Sequence, residues 1–309
     1  MSPQLSIVIP VYNSQITLPH LVSRLREVLD QQYAAYEIVL VDDGSRDQSW
    51  SILEQLKAAH GARLRIARLL INSGQHNATL CGLNLSRGEI VITMDDDLQN
   101  PPEEIPKLVE AIQRGFDLAI GAYDSKKHSR FRNLGGHIVD MALQGIFRLP
   151  TGFQLTSFRA ARRPVVENAC HMGGVFPYIT AMLFANASSY TNVPVCHEPR
   201  GHGRSNYNLR RSLKLVANLL FSYSSYPVWL MLALTIGAFL VSLVFGILTI
   251  IRALSQDISV PGWASTVVIV SLFNAMTMLS LTVFGVYLAR ISQQLTRSRR
   301  PYVIRDLHD

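Results

Sequence analysis

Hydrophobic and polar positions alternate in blocks along the first 125 residues of the chain. Short apolar segments rich in β-branched residues are separated by amphipathic stretches with helical spacing, such as residues 17–32. Strand-like segments that alternate with helix-like segments predict βαβ units, and so an α/β fold with a mostly parallel sheet covered by helices on both faces. The predicted strands are LSIVIPVY, YEIVLVDD, RLRIARLL, EIVITMDD and DLAIGAY.

Two long segments toward the C-terminal end carry no charged residue. Residues 228–251 and 263–289 are each longer than the roughly 20 residues that a helix needs to cross a membrane. Arginines and lysines flank the pair on its outer sides, whereas the connecting loop has one arginine and one aspartate. Because positive charge stays on the cytoplasmic side, this pattern predicts a transmembrane hairpin with both ends in the cytoplasm.

The sequence therefore predicts a multi-pass protein of the inner membrane. The expected parts are a cytoplasmic α/β domain at 1–205, an interfacial amphipathic helix at 206–227, the spans at 228–251 and 263–289, and a basic cytoplasmic tail at 290–309.

Composition narrows the choice of partners. The formal net charge is +7, and the basic residues cluster beside the uncharged segments. This clustering favours an anionic membrane surface, and we expect no nucleic-acid partner. The chain has 3 cysteines, too few and too scattered for a disulfide framework.

Polar clusters follow the first, second and fourth predicted strands at the point where each strand ends. They read YN, DDGS and DDDLQ. Because ligands bind outside the carboxyl ends of parallel strands, we expect these clusters to form one site. No GxGxxG follows the first strand, which argues against the dinucleotide site of a dehydrogenase.

The acidic triplet has the chemistry of a metal site. Asp95 and Asp97, separated by one residue, present hard oxygen ligands to Mg²⁺ or Mn²⁺, and Gln99 adds a neutral oxygen. The alternative is an acidic loop that begins the next helix, since NPPEE is a typical helix start. The DDGS cluster at the same sheet edge favours the metal.

Four segments carry a resemblance to a known family. They read LSIVIPVYN, EIVLVDDGSRDQS, NSGQHNATLCGLNLSRGEIVITMDDDLQNPPEEIPKLVE and RSNYNLRRSLKL. With them the chain resembles the polyprenyl-phosphate glycosyltransferases, inverting family 2 enzymes of GT-A fold. This family includes dolichol-phosphate mannosyltransferases and bacterial undecaprenyl-phosphate sugar transferases. The resemblance spans nearly the whole chain and is strongest over residues 5–108.

The resemblance implies roles for particular residues. Asp95 and Asp97 are the implied catalytic residues, and with Gln99 they hold the metal against the donor diphosphate. The residues implied in nucleotide-sugar binding are Pro10, Tyr12, Asn13, Asp42, Asp43, Asn72, Gly74, Gln75, Asp95 and Asp96. The family commonly has alanine where this chain has Asp96, which makes that side chain a bystander in the chemistry.

The acceptor phosphate needs positive charge near the bilayer. The candidates by resemblance are Lys126, Lys127, Arg130, Arg132, Arg204, Ser205, Tyr207 and Arg210. The chain departs from the family here. Asn206 stands where a lysine is usual, and no acidic residue lies between Asp140 and Arg159, although the family usually has one before its "FR".

The predicted function is inverting, metal-dependent transfer of one sugar from a nucleotide sugar, expected to be UDP-linked, to undecaprenyl phosphate or a similar polyprenyl phosphate. The product would serve envelope glycan or lipid modification. One alternative is a family 2 enzyme that acts directly on a lipid or polysaccharide, but the QxxRW segment of polymerases is missing from the sequence. The other is a non-catalytic, membrane-anchored nucleotide-sugar-binding protein. The sugar and any homo-oligomerisation stay open.

Overall fold

The structure is a computed structural model of the chain. It describes residues 3–123, 150, 152–172, 177–199, 262–296 and 301–309, with scattered positions between 230 and 248. The chain divides into two units. One contains residues 1–209 together with 297–309, and the other contains residues 210–296.

The elements of the first unit alternate between strands and helices. The first half comprises β1 (Leu5–Val11), α1 (Leu18–Gln32), β2 (Tyr36–Asp42), α2 (Ser49–His60), β3 (Leu64–Leu69), α3 (Gln75–Leu85), β4 (Ile90–Thr93), α4 (Ile105–Gln113) and β5 (Leu118–Tyr123). The second half comprises β6 (Arg159–Arg162), α5 (Arg163–His171), α6 (Ile179–Ala185), β7 (Tyr190–Val195) and β8 (Ile304–His308). All of the strands that the sequence predicts are present as β1 to β5.

The strands form one mixed sheet in the order β7-β5-β6-β4-β1-β2-β3-β8. β1 pairs in parallel with β2 and β4, and β2 pairs in parallel with β3. β6 lies antiparallel between β4 and β5, and β8 adds an antiparallel edge beside β3. The sheet is thus parallel through its centre, where β1, β2 and β4 bring their carboxyl ends to one edge.

Both faces of the sheet are covered, which explains the nearly continuous apolar strands. Along β1, Ile7 and Ile9 pack into the layer that contains α1 and α4, whereas Val8 packs into the layer that contains α3 and α5. α3 comes very close to β1, since a Cβ added at Gly82 would lie 2.3 Å from Cγ1 of Val8. This close packing sets where the first residues of α3 stand at the sheet edge.

The C-terminal residues belong to the sheet, which the sequence did not predict. Residues 290–309 were expected only as a basic tail, but β8 pairs with β3, and Tyr302 before it is buried. The carboxylate of Asp309 accepts a hydrogen bond of 2.8 Å from Nε of Arg65, a buried side chain of β3. The end of the chain therefore covers the edge of the strand that follows β2.

The second unit contains α7 (Trp263–Thr296), a helix of 34 residues that includes the predicted second span and continues past it. Among the residues that the structure describes, no helix combines the length and the hydropathy of a membrane span. The transmembrane hairpin stays a prediction. The predicted interfacial helix at 206–227 and most of 228–251 lie outside the described residues.

Candidate active site

The loops that follow β1 and β2 are tied together by hydrogen bonds. The backbone N–H of Asn13 donates to Oγ of Ser45 at 2.9 Å, and the N–H of Arg46 donates to Oδ1 of Asn13 at 2.9 Å. Asn13 has φ 53°, in the left-handed region that asparagine tolerates better than most residues. The YN and DDGS clusters therefore meet at the sheet edge, as the sequence predicts.

The two carboxylates of the DDGS cluster are buried and have different partners. Oδ1 of Asp42 accepts the N–H of Ser45 at 3.2 Å, and Oδ2 lies 3.3 Å from Nε of Arg68. Asp43 instead accepts the N–H of Ser73 at 2.7 Å and of Gly74 at 2.8 Å. Burial raises the pKa of both carboxyl groups, and these hydrogen bonds oppose the rise. Asp43 thus holds the loop that leads into α3.

The loop before α3 runs very close to the DDGS cluster. Gly44 has φ +69°, and a Cβ there would lie 2.9 Å from the backbone N of Asn72. Any larger residue would therefore push the two loops apart. The structure places Asn72 and Gly74 beside Asp43, in agreement with the predicted grouping of these residues.

Asp95, the first residue of the triplet, is held between α3 and the segment before β6. Its Oδ1 accepts a hydrogen bond from Nε2 of Gln75, and its Oδ2 accepts one from Oγ of Ser157, each at 2.6 Å. Burial raises the pKa of Asp95, the bond from Ser157 lowers it, and the charge of Asp97 raises it again. The sequence analysis did not identify Ser157 as a site residue, because nothing in the segment TSFR indicates a hydrogen bond to a residue 62 positions away.

Asp96 points to the loop after β1. Its Oδ2 accepts the backbone N–H of Tyr12 at 3.2 Å and a short hydrogen bond from Oγ of Ser14. Burial raises the pKa of Asp96 to about 6. The side chain therefore joins the acidic triplet to the YN loop, a structural role that the sequence did not show.

Asp97 and Gln99 lie in a loop held by the segment after β7. The N–H of Gln99 donates to Oδ1 of Asp97 at 3.1 Å, and Nε2 of Gln99 lies 3.3 Å from Nε2 of His197. Leu98, between them, has φ 62°, a strained conformation for a branched residue. Within the described part of the chain, no three histidine, cysteine, aspartate or glutamate side chains assemble as a metal site.

A cleft of about 230 Å³ opens beside Asp95. It lies where β1 and β4 end, against the first turn of α3 and the start of α6. Its walls include the predicted residues Pro10, Gln75 and Asp95, and three that the sequence did not single out, Ser157, Arg159 and Tyr178. The predicted acceptor residues Lys126, Lys127, Arg130, Arg132, Arg204, Ser205, Tyr207 and Arg210 lie outside the described residues.

The acidic loops thus lie at the carboxyl ends of the central parallel strands, the edge at which α/β sheets bind their ligands. Residues 6–175 match the family model described as Glycosyl transferase family 2. The chain belongs to this family and is a glycosyltransferase.

Two curated relatives show which glycosyltransferases of this family the chain is similar to. They confirm the predicted resemblance to polyprenyl-phosphate glycosyltransferases. Both are named undecaprenyl-phosphate 4-deoxy-4-formamido-L-arabinose transferase. The protein from Pseudomonas paraeruginosa (strain DSM 24068 / PA7) is 34% identical over 307 residues, with 97% of this chain and 89% of the relative covered. The protein from Edwardsiella ictaluri (strain 93-146) is 34% identical over 316 residues, with 98% and 93% covered.

Solved structures support the fold. Glucosyl-3-phosphoglycerate synthase from Mycobacterium tuberculosis, crystallised with Mn²⁺ and UDP-glucose, aligns with a TM-score of 0.51 at 21% identity and covers 71% of this chain and 78% of its own. A mycobacterial protein aligns with a TM-score of 0.54 at 22% identity and covers 71% and 74%. At these identities the likeness shows the fold alone, an α/β sheet of GT-A type.

Proposed function

We propose that this glycosyltransferase moves a single sugar from a UDP-linked donor to undecaprenyl phosphate or a related polyprenyl phosphate at the cytoplasmic face of the membrane. One observation carries the proposal. Asp95 and Asp97 stand at the carboxyl end of β4, beside the loops of β1 and β2, in a chain that matches undecaprenyl-phosphate sugar transferases over 97% of its length. The acidic loops point to the donor chemistry, and the match to these relatives points to the acceptor class.

The donor half of the site follows from the loops at the sheet edge. Tyr12 has 44% of its surface exposed next to the buried carboxylates of Asp42 and Asp43, so its ring is available to a nucleobase. The neighbouring Asn13 and the backbone of the loop before α3 offer hydrogen-bonding groups for the ribose. We assign nucleoside recognition to this part of the edge.

The residues present fit a divalent cation. Asp95, Asp97 and Gln99 offer hard oxygen ligands, and the charge of Asp97 contributes, after burial, to the raised pKa of Asp95, a repulsion that a cation relieves. Mg²⁺ or Mn²⁺ held there would stabilise the negative charge on the departing nucleoside diphosphate. Gln75 and Ser157 orient Asp95 for this task, and the N–H of Gln99 orients Asp97.

A catalytic base is not required in this reaction. The acceptor is a phosphate monoester, already anionic at neutral pH.

Gln154 lies in the segment where the family usually has an acidic residue. Its amide accepts the N–H of Tyr123 at 2.9 Å and donates to the carbonyl of Tyr123 at 3.0 Å, so it extends the sheet edge. Direct attack of the lipid phosphate on the anomeric carbon, opposite the diphosphate, inverts the configuration.

The membrane part of the proposal comes from the sequence. The charge-free residues 228–251 and 263–289 would form a hairpin that anchors the chain in the membrane that contains the acceptor, with the loop between them outside. The basic residues beside these segments would lie against anionic headgroups.

The proposal is tested by product formation. Purified full-length protein is incubated with radiolabelled UDP-sugars, Mg²⁺ or Mn²⁺, and undecaprenyl phosphate, and the label is followed into the organic phase. Labelled polyprenyl-phosphate sugar that forms only when the lipid phosphate is added supports the proposal. Transfer to a glycolipid or polysaccharide instead, or folded protein that transfers no sugar from any donor, contradicts it.

A further inference from the structure

Arg24 of α1 joins two segments that are far apart in the sequence. Nε and Nη2 donate to the carboxylate oxygens of Glu103 at 3.0 and 2.8 Å, and Nη1 and Nη2 donate to those of Glu198 at 3.2 and 3.1 Å. Glu103 lies between β4 and α4, and Glu198 follows β7. Because the donors of a guanidinium form a rigid planar fork, this arrangement fixes the position of both carboxylates. We call these three residues the Arg24 clamp.

The segment that contains Glu198 lies along the loop that follows β4. The backbone N–H of Glu198 donates to the carbonyl of Gln99 at 2.9 Å, and the N–H of Cys196 donates to Oε2 of Glu104 at 3.2 Å. These bonds begin at Gln99, one of the residues proposed to hold the cation. The Arg24 clamp therefore fastens the chain after β7 to the loop of the cation site.

The residues that come next in the sequence carry positive charge. Residues 199–211 contain four arginines and no acidic residue, and the first two are Arg200 and Arg204. Residues 200–211 lie outside the described part of the chain. Six residues of chain span at most about 22 Å, so an anchor at Glu198 limits how far Arg204 can lie from the cation site. A phosphate that approaches this site would meet these charges.

We propose that Arg24 is a positioning residue for the acceptor side of the reaction, because it holds Glu198 beside Gln99 and so keeps the following arginines within reach of a lipid phosphate. The inference rests on the proposed function, since it requires a phosphate acceptor. Arg24 does not line the cleft beside Asp95, so it acts through the segment that it holds. Without this anchor the segment has to be ordered whenever an acceptor binds, and the conformational entropy lost in that step weakens acceptor binding.

The two carboxylates of the Arg24 clamp provide a matched comparison. Each accepts two hydrogen bonds from Arg24, and their side chains are similarly exposed, 50% for Glu103 and 45% for Glu198. Loss of either ion pair should therefore affect stability to a similar extent, but only loss of the pair with Glu198 releases the segment after β7. A purely structural clamp predicts the same kinetics for both changes, whereas a positioning role predicts different kinetics.

The test measures steady-state sugar transfer by the full-length protein to undecaprenyl phosphate, with the radiolabelled UDP-sugar that the wild type transfers. The KM for the lipid, the KM for the donor and kcat are determined for the wild type, Arg24→Gln, Glu198→Gln and the matched control Glu103→Gln. Binding of UDP in the presence of Mn²⁺ is measured on the same proteins by calorimetry. This second measurement reports on the cation site without turnover.

Arg24→Gln and Glu198→Gln should each raise the KM for undecaprenyl phosphate by about threefold to fivefold, the effect of one half-exposed ion pair, while kcat and the KM for the donor keep their wild-type values. Glu103→Gln should keep the wild-type KM for the lipid. The double variant of Arg24→Gln and Glu198→Gln should raise this KM no further than either single change, because both remove the same contact. All variants should bind UDP with Mn²⁺ as the wild type does.

Three results would overturn the inference while the proposed function stands. The first is an equal rise in the KM for the lipid in Glu103→Gln and Glu198→Gln. The second is a Glu198→Gln variant that has a lower kcat or a lower melting temperature than Glu103→Gln but the wild-type KM for the lipid. The third is weaker binding of UDP with Mn²⁺ in Glu198→Gln, which would place its effect at the cation site. A wild type that transfers no sugar to undecaprenyl phosphate contradicts the proposed function and the inference together.

Discussion

Oγ of Ser157 donates a hydrogen bond of 2.6 Å to Oδ2 of Asp95. The two residues flank neighbouring antiparallel strands, since Asp95 follows β4 and Ser157 precedes β6. The orientation of the first carboxylate of the triplet is therefore set by a strand that joins the sheet late in the chain. This contact links the irregular middle of the sequence to the chemistry at the sheet edge.

Ser157→Ala should lower kcat/KM for sugar transfer by about tenfold, because a lost hydrogen bond to a carboxylate is worth on the order of 1.5 kcal/mol. Asp95 would keep only its bond from Gln75 and would hold the proposed cation less well. The change is measured by steady-state transfer, with Ser51→Ala on the exposed side of α2 as the control. Unchanged kinetics in Ser157→Ala would show that Asp95 needs no support from β6.

We expect His76 to make the folded protein less stable at acidic pH. Burial, and then the charge of Arg159, lower the pKa of His76 to about 4 from its ordinary value of 6.5. Below pH 6.5 the unfolded chain therefore binds a proton that the folded chain refuses, and stability falls until the pH reaches about 4. The loss amounts to at most about 3.4 kcal/mol.

His76→Phe keeps a ring against Tyr178 but cannot bind a proton, so its melting temperature should drop less between pH 7 and pH 4.5 than that of the wild type. His20→Gln, on the exposed side of α1, is the control and should behave as the wild type. Equal acid sensitivity of wild type and His76→Phe would mean that His76 charges freely in the folded protein.

Deletion of residues 301–309 should destabilise the catalytic unit. The deletion uncovers the edge of β3 and removes Asp309, one of the partners of the buried Arg65. Tyr302→Ala alone removes a buried ring at a cost of about 3 kcal/mol. The melting temperature of detergent-solubilised protein measures the effect. Asp306→Asn, a change at a half-exposed side chain of β8, should have little influence. A deletion variant that melts with the wild type would show that β8 is dispensable.

The membrane topology predicts which positions an external reagent reaches. In a variant without its native cysteines, Ser255→Cys should react with a membrane-impermeant maleimide added to intact spheroplasts, and Ser298→Cys should react only after lysis. The reverse pattern would place the catalytic unit on the outer side. Reaction at both positions before lysis would exclude the hairpin.

Much of the fold could be read from the chain because β1 to β5 are short apolar strands with strong β propensity. Strands β6 and β8 could not be predicted from the sequence. β6 reads RAAR and owes its place to pairing on both sides, including the buried Arg159, and β8 reads IRDLH. No local pattern distinguishes such segments from loops, because contacts with distant residues determine their structure.

The candidate site divides in the same way. The meeting of the acidic clusters at one edge follows from parallel topology and was predictable. The direction of each carboxylate was not, because Asp96 accepts a hydrogen bond from Ser14, 82 residues away, and Leu98 adopts a left-handed conformation with φ 62°. Adjacent aspartates thus received distinct partners that only the three-dimensional fold determines.

The central claim is that Asp97 helps to hold a divalent cation against the donor diphosphate. The most direct measurement is binding of UDP by isothermal titration calorimetry with and without Mn²⁺, in the wild type and in Asp97→Asn, with Glu110→Gln on the exposed side of α4 as the control. Wild type and Glu110→Gln should bind UDP at least about tenfold more tightly with Mn²⁺, and Asp97→Asn should bind alike in both conditions. Equal Mn²⁺ dependence in Asp97→Asn, or a wild type indifferent to Mn²⁺, would contradict the account.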